Sequence, residues 1–284
     1  MNIVSDILVL GGGPAGITFA RTVKKLKPDT TITMLRPEQY SMVYGAIPYA
    51  IEGLFEPHKV FKRDNLVTDV GVNLVQQSAV EVDLKNKCVV DTAGNTHLAS
   101  TLFIATGASP VCPPILGAGA NNVFTVKVQQ DMEAILERIK NGAQRAVVVG
   151  AGAIGIEQAQ AYQARGIETY LLDMAPHVLP AMLNNDMAET VHSMLRGKGI
   201  HLRLETRVTE IIKTNHSAHK VVLDRGERID LDPNLDFVCF AVGMKPAIDL
   251  FRDRMFLKPR GKSKTAINGL DFTRVEHNLK YSFA

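Results

Sequence analysis

Two short apolar runs, each stopped by a glycine cluster and followed by helical periodicity, organise the sequence. The first is Ile7-Leu8-Val9-Leu10, then Gly11-Gly12-Gly13-Pro14-Ala15-Gly16, then an amphipathic stretch to about Lys27. A second strand, Thr31 to Leu35, follows the Pro28-Asp29 turn. The pattern returns at Arg145-Ala-Val-Val-Val149, with Gly150-Ala151-Gly152-Ala153-Ile154-Gly155 and a helix to about Arg165, which Gly166 is placed to end. The strand Glu168 to Asp173 comes next. Strands alternating with helices predict a parallel sheet in each half. Between the copies, residues 72–105 read as an antiparallel meander with a turn at Thr92–Asn95, closing on a strand from Thr101 to Ala105. Pro110, Pro113, Pro114 and Gly117 mark a crossover, and a helix from about Gln129 to Lys140 leads into the second copy. A similar alternating stretch fills 201–231, before a strand at Asp236–Ala241. The fold class expected is α/β: two tandem Rossmann-like domains, three-layered, with parallel central sheets and antiparallel meanders.

Each glycine string has the form G-x-G-x-x-G. Such a string alone is a weak signal, but here each follows an apolar strand and opens a helix, the setting that dinucleotide binding requires. Gly11 and Gly150 make the tight turn, Gly13 and Gly152 let backbone approach a pyrophosphate, and Gly16 and Gly155 let helix and strand pack closely. Pro14, Ala15, Ala153 and Ile154 open the helices, whose N-termini offer unpaired N–H groups to phosphate. Asp173, at the end of the next strand, sits where a ribose-binding acid belongs, or it merely caps that strand. No Arg or Lys follows it closely enough to hold a 2′-phosphate, which favours NADH over NADPH. At the equivalent place in the first copy stands Arg36, which either contacts adenine or phosphate or is a solvated turn residue.

Composition changes this picture little. With 46% apolar and 21% charged residues over 284 positions, the chain has the makeup of a soluble protein with two well-filled cores. No apolar run approaches the roughly 18 residues of a membrane span, and no N-terminal signal core is visible. Cys88, Cys112 and Cys239 are far apart, which argues against a structural metal or disulfide framework and suits a reducing cytoplasm. The histidines lack ligand spacing; His216 and His219 fall in a polar stretch. The net charge of +3 arises in residues 249–284, which alone carry +4. The body of the chain gives no basis for nucleic-acid binding, and the basic run in the tail reads as solvated.

Four further segments complete a resemblance to the pyridine nucleotide-disulfide oxidoreductase superfamily, in its NADH oxidase and CoA-disulfide reductase branch. These are Leu102–Pro110 with Thr106-Gly107, Gly155-Ile156-Glu157, Leu172–Pro180, and Phe240–Pro246 with Gly243. The resemblance implies an FAD domain (1–116), an inserted NADH domain (117–248) and a remnant of the FAD-domain return in an atypical basic tail (249–284). It implies FAD at the first glycine string, with Thr106 and Gly107 near the flavin nucleotide, and hydride transfer from NADH to FAD. Glu157 would then sit near the nicotinamide; otherwise it is a helix-surface carboxylate.

Two departures bear on mechanism. The branch carries a redox cysteine in S-x-x-x-C-x-x-P-Y; here Ser41-Met-Val-Tyr-Gly45-Ala-Ile-Pro48-Tyr49 puts Gly45 at that position. Glycine provides no thiolate, sulfenate or mixed disulfide, which leaves direct flavin chemistry toward oxygen or another small acceptor. After Pro246 the chain lacks the family's Gly-Asp pair and the dimerisation domain that makes relatives homodimers. The expectation is a truncated chain, the alternative a natural short variant. An NADH-dependent FAD oxidoreductase thus competes with a non-catalytic dinucleotide-binding remnant.

Overall fold

A computed structural model describes residues 1–254. The chain divides into two compact units, one of residues 1–43, 61–108 and 246 onward, the other of residues 44–60 and 109–245.

In the first unit a six-stranded sheet runs in the order Val72–Val75, Ile32–Leu35, Asn2–Leu10, Thr96–Ile104, Cys88–Asp91, Ala79–Asp83. The first four strands are parallel and the last three antiparallel along the meander. Residues 72–75 therefore do not belong to the meander, as the alternation suggested, but extend the parallel sheet beside Ile32–Leu35. Four residues are too few to separate a sheet-edge strand from a meander strand by periodicity. The end of strand Asn2–Leu10, at Leu8, Val9 and Leu10, is buried on both faces, as expected where a parallel strand is covered on either side. Val9 packs with Ala20 of helix Pro14–Leu26 and with Ile32, Met34 and Val72. Leu8 and Leu10 face the other way, onto Val82 and Val89 of the meander.

Phe251, fully buried, joins that second cluster together with Ile248 and Leu250. The segment expected to open an unpatterned tail at 249 thus begins by supplying the first unit's core, through a 3-10 turn at Asp249–Arg254. The rest of the 249–284 stretch lies outside the described residues.

The second unit is built on a five-stranded parallel sheet ordered Val123–Phe124, Phe237–Phe240, Arg145–Val149, Glu168–Leu172, His201–Arg203. An antiparallel meander, Val208–Thr214, Ser217–Leu223 and Arg228–Asp230, covers one face, with Ile211, Val221 and Leu223 against Val147, Leu172 and Val238. Helix Ala153–Ala164 is buried over half of its positions, at Gly155, Ile156, Gln158, Ala159, Ala161 and Tyr162, more than one face against a sheet requires. The reason is the segment 44–60, whose short helix Ile47–Glu52 packs on it. The compact units divide at 108/109, and residues 44–60 pack with the second unit, whereas the sequence reading places 1–116 in one domain. A contact between segments so far apart in sequence leaves no local pattern to read. Helix Asn185–Gly197, capped by the Asn184 side chain accepting from the Met187 N–H at 3.0 Å, was also not foreseen.

Candidate functional site

The two glycine bends share one geometry. Gly11 and Gly150 have φ of +113° and +109°, where an L side chain is strained. A Cβ on either would lie 2.7 Å from the carbonyl carbon of Ala105 or Ala241, and closer still to its oxygen. The third glycines are as constrained. A Cβ on Gly155 would fall 2.9 Å from the Gly150 carbonyl carbon, and one on Gly16 3.2 Å from that of Gly11, each nearer to the oxygen. The middle glycines differ. Gly13 and Gly152 would meet nothing within 4 Å. Both are helix N-caps in extended conformation with no side-chain capping hydrogen bond. Pro14, Ala153 and Ile154 rim the bends and are exposed, while Ala15 is partly so. Each bend therefore presents an uncapped helix N-terminus beside an open glycine, which is the shape and polarity a phosphate group requires.

The residues behind each bend differ in sign. In the second unit Asp173 accepts the Ala151 N–H at 2.6 Å on Oδ2 and the Ala175 N–H at 2.8 Å on Oδ1. Its carboxylate thus braces the bend from the place expected for a ribose acid. In the first unit Arg36 occupies the corresponding position and is only 3% exposed, which overturns the solvated-turn alternative. Its guanidinium donates to Asp64 Oδ1 at 2.7 Å and to the carbonyls of Glu38 and Gln39, both at 2.8 Å. Its aliphatic stem lies under Gly12, where a Cβ would come within 2.6 Å of Arg36 Cδ. Ser41 Oγ donates to the Gly12 carbonyl at 2.5 Å. Asp64 and this use of Ser41 were missed from sequence: Asp64 belongs to no motif, and the motif that contains Ser41 says nothing of a contact with Gly12.

Thr106 and Gly107 meet the returning chain within the first unit. Thr106 Oγ1 donates to the Ala247 carbonyl at 2.7 Å, and the Ala247 N–H donates to the Gly107 carbonyl at 2.9 Å. Gly243, with φ of +117°, accepts the Val111 N–H at 2.9 Å. Glu157 is half-buried on helix Ala153–Ala164, and burial raises its carboxyl pKa. Gly45 lies exposed in a 3-10 turn, Tyr44–Ala46, with free space where a side chain would project.

The description "Pyridine nucleotide-disulphide oxidoreductase" fits residues 5–269, nearly the whole chain. The chain belongs to this family. Among its relatives is the NADH oxidase of Methanocaldococcus jannaschii, 36% identical over 259 residues that cover 86% of this chain and 55% of the relative. The NAD(P)H coenzyme A polysulfide/persulfide reductase of Pyrococcus horikoshii is 31% identical over 88% of this chain and 56% of its own length. Among solved structures, an NAD-dependent persulfide reductase from A. fulgidus superposes with a TM-score of 0.83 at 30% identity, covering 91% of this chain and 49% of that one. The chain thus spans about half the length of the family members it matches. Among the described residues no helix is long and apolar enough to cross a membrane.

Proposed function

We propose that this chain carries the nucleotide-binding machinery of an NADH-dependent flavoprotein oxidoreductase, with FAD at the first bend, NADH at the second, and oxygen or another small molecule as final acceptor. The observation that carries the reading is the contrast within each bend. The outer glycines are packed against backbone, while Gly13 and Gly152 stand open beside bare helix N-termini. Such a cradle fits a pyrophosphate and is filled by any Cβ. In the first bend Gly11, Gly13, Pro14, Ala15 and Gly16 hold the phosphates, Arg36 braces the bend from below, and Thr106 with Gly107 closes the domain near the nucleotide. In the second, Gly150, Gly152, Ala153, Ile154 and Gly155 hold the phosphates, Asp173 takes the ribose, Glu157 orients the nicotinamide, and Gly243 shapes the far end.

Bound flavin and nicotinamide supply the hydride chemistry; the protein supplies orientation and electrostatics. The half-buried Glu157 suits a positioning role, since burial favours its neutral, hydrogen-bond-donating form more than in water. Thiol chemistry has no residue at position 45. Cys239 lies inside a strand with its thiol pushed up to about 12 by burial, and Cys88 and Cys112 lie in other segments. Electron delivery to the acceptor would therefore fall to bound flavin rather than to a protein thiol. The unpaired cysteines support a reducing, cytoplasmic location.

An absorption spectrum of the purified chain before and after anaerobic NADH addition tests the proposal. A flavin band that bleaches is expected; a colourless protein that takes up no FAD on reconstitution overturns it. The absent thiol at Gly45 also favours a second reading, a non-catalytic dinucleotide-binding module, which NADH binding without flavin retention would support.

A further inference from the structure

We infer that His192 is a positioning residue for the second dinucleotide site, acting through the backbone of Val178 and Leu179 on Ala151 of the glycine bend. The inference rests on the reading of that bend as the NADH site. Ala151 is fully buried and both its backbone groups are used. Its N–H donates to Asp173 Oδ2 at 2.6 Å, and its carbonyl accepts the Leu179 N–H at 2.9 Å. The segment after the ribose acid therefore returns to the bend and clamps it from the other side.

Leu179 makes this return with φ of +51°, a left-handed conformation that is unfavourable for a non-glycine residue and persists only where neighbours hold it. The neighbouring Val178 is buried, and its N–H donates to His192 Nε2 at 3.2 Å. His192 itself is 5% exposed, on helix Asn185–Gly197. Its Nδ1 lies 3.0 Å from Glu189 Oε2, an acceptor only, so Nδ1 carries the proton and Nε2 keeps its lone pair for Val178. Glu189 thereby sets the tautomer. Without an acceptor at Nε2, the Val178 N–H is buried and unpaired, Leu179 is free to leave its left-handed state, and the Ala151 carbonyl loses its partner. The bend that meets the pyrophosphate then loosens. No sequence spacing links His192 to the glycine string.

The test measures NADH Kd by titration calorimetry and thermal unfolding on the full chain for wild type, His192→Leu and His192→Gln. His192→Met serves in place of the Leu variant should that one fail to fold. The apolar variants are expected to weaken NADH binding about tenfold, the equivalent of one buried hydrogen-bond partner lost. Gln, whose Oε1 reaches the Nε2 position as an acceptor, is expected to restore Kd to within about threefold of wild type. A lower Tm with unchanged Kd in the apolar variant, or equal weakening by Gln and the apolar variant, overturns the inference and leaves the NADH site standing. A wild-type chain that binds no NADH overturns the proposed function, and the His192 role with it.

Discussion

The second glycine bend makes separable demands on its glycines, and alanine substitutions resolve them. A methyl group on Gly155 would sit 2.9 Å from the Gly150 carbonyl carbon, closer to its oxygen, and 3.3 Å from the Ala241 Cβ. Those neighbours are backbone or strand atoms, so helix Ala153–Ala164 must back away from the sheet. Overpacking of this kind costs roughly 1–3 kcal/mol. At roughly 2–4 °C per kcal/mol for a unit of this size, Gly155→Ala lowers Tm by about 2–12 °C. Gly152→Ala meets no protein atom within 4 Å, and Gly152 has a φ of −76° that alanine adopts freely. Its stability cost is no more than about 1 kcal/mol, the difference between glycine and alanine at an N-cap. On the proposed function its methyl would occupy the space of the pyrophosphate, and one lost charge-assisted phosphate contact would weaken NADH at least about tenfold. Calorimetric NADH titration and thermal unfolding on the same preparations give both quantities. The assignment of roles fails if Gly152→Ala melts as low as Gly155→Ala, or if Gly152→Ala binds NADH as wild type does.

Two other expectations concern the first unit and position 45. Asp91 is buried, which alone would raise its pKa, but hydrogen bonds from His97, Asn95 and Ala93 outweigh burial and hold it at about 2. A carboxyl lowered below its unfolded value contributes stability above pH ~4 and loses it as pH falls through its folded value. The unfolding free-energy gap between wild type and Asp91→Asn is therefore expected to shrink between about pH 5 and pH 2; a gap independent of pH there would show that the carboxylate charge is not what the fold uses. Gly45→Cys should fold with an unchanged Tm, because the new side chain projects into free space, and should add one fast-reacting thiol to a colorimetric thiol titration. A slow or missing extra thiol would show that position 45 is not as open as described.

What could be read from sequence follows from how local each determinant is. The glycine bends were legible because turn, close approach and helix start are fixed within six residues, so their strands and helices fall where the pattern put them. The place of Asp173 beside the bend was legible for the same reason, by its distance along one strand-helix-strand unit. Helix Asn185–Gly197 was not, because its buried positions Ala188, His192 and Leu195 include a histidine that reads as polar. Arg36 was ambiguous because its partner Asp64 lies beyond the excursion at 44–60. The tie from His192 to the bend passes through backbone groups, which carry no residue signature at all.

The burial of most of helix Ala153–Ala164, partly beneath Ile47–Glu52, has a practical corollary for anyone dissecting this chain. A fragment cut as 109–245 would look like a complete parallel-sheet domain on paper, yet it would leave behind Ile47–Glu52 and so wet an apolar flank that evolved dry. Such a piece would self-associate through that flank; grafting residues 44–60 back, by a linker to either end, is the minimum repair.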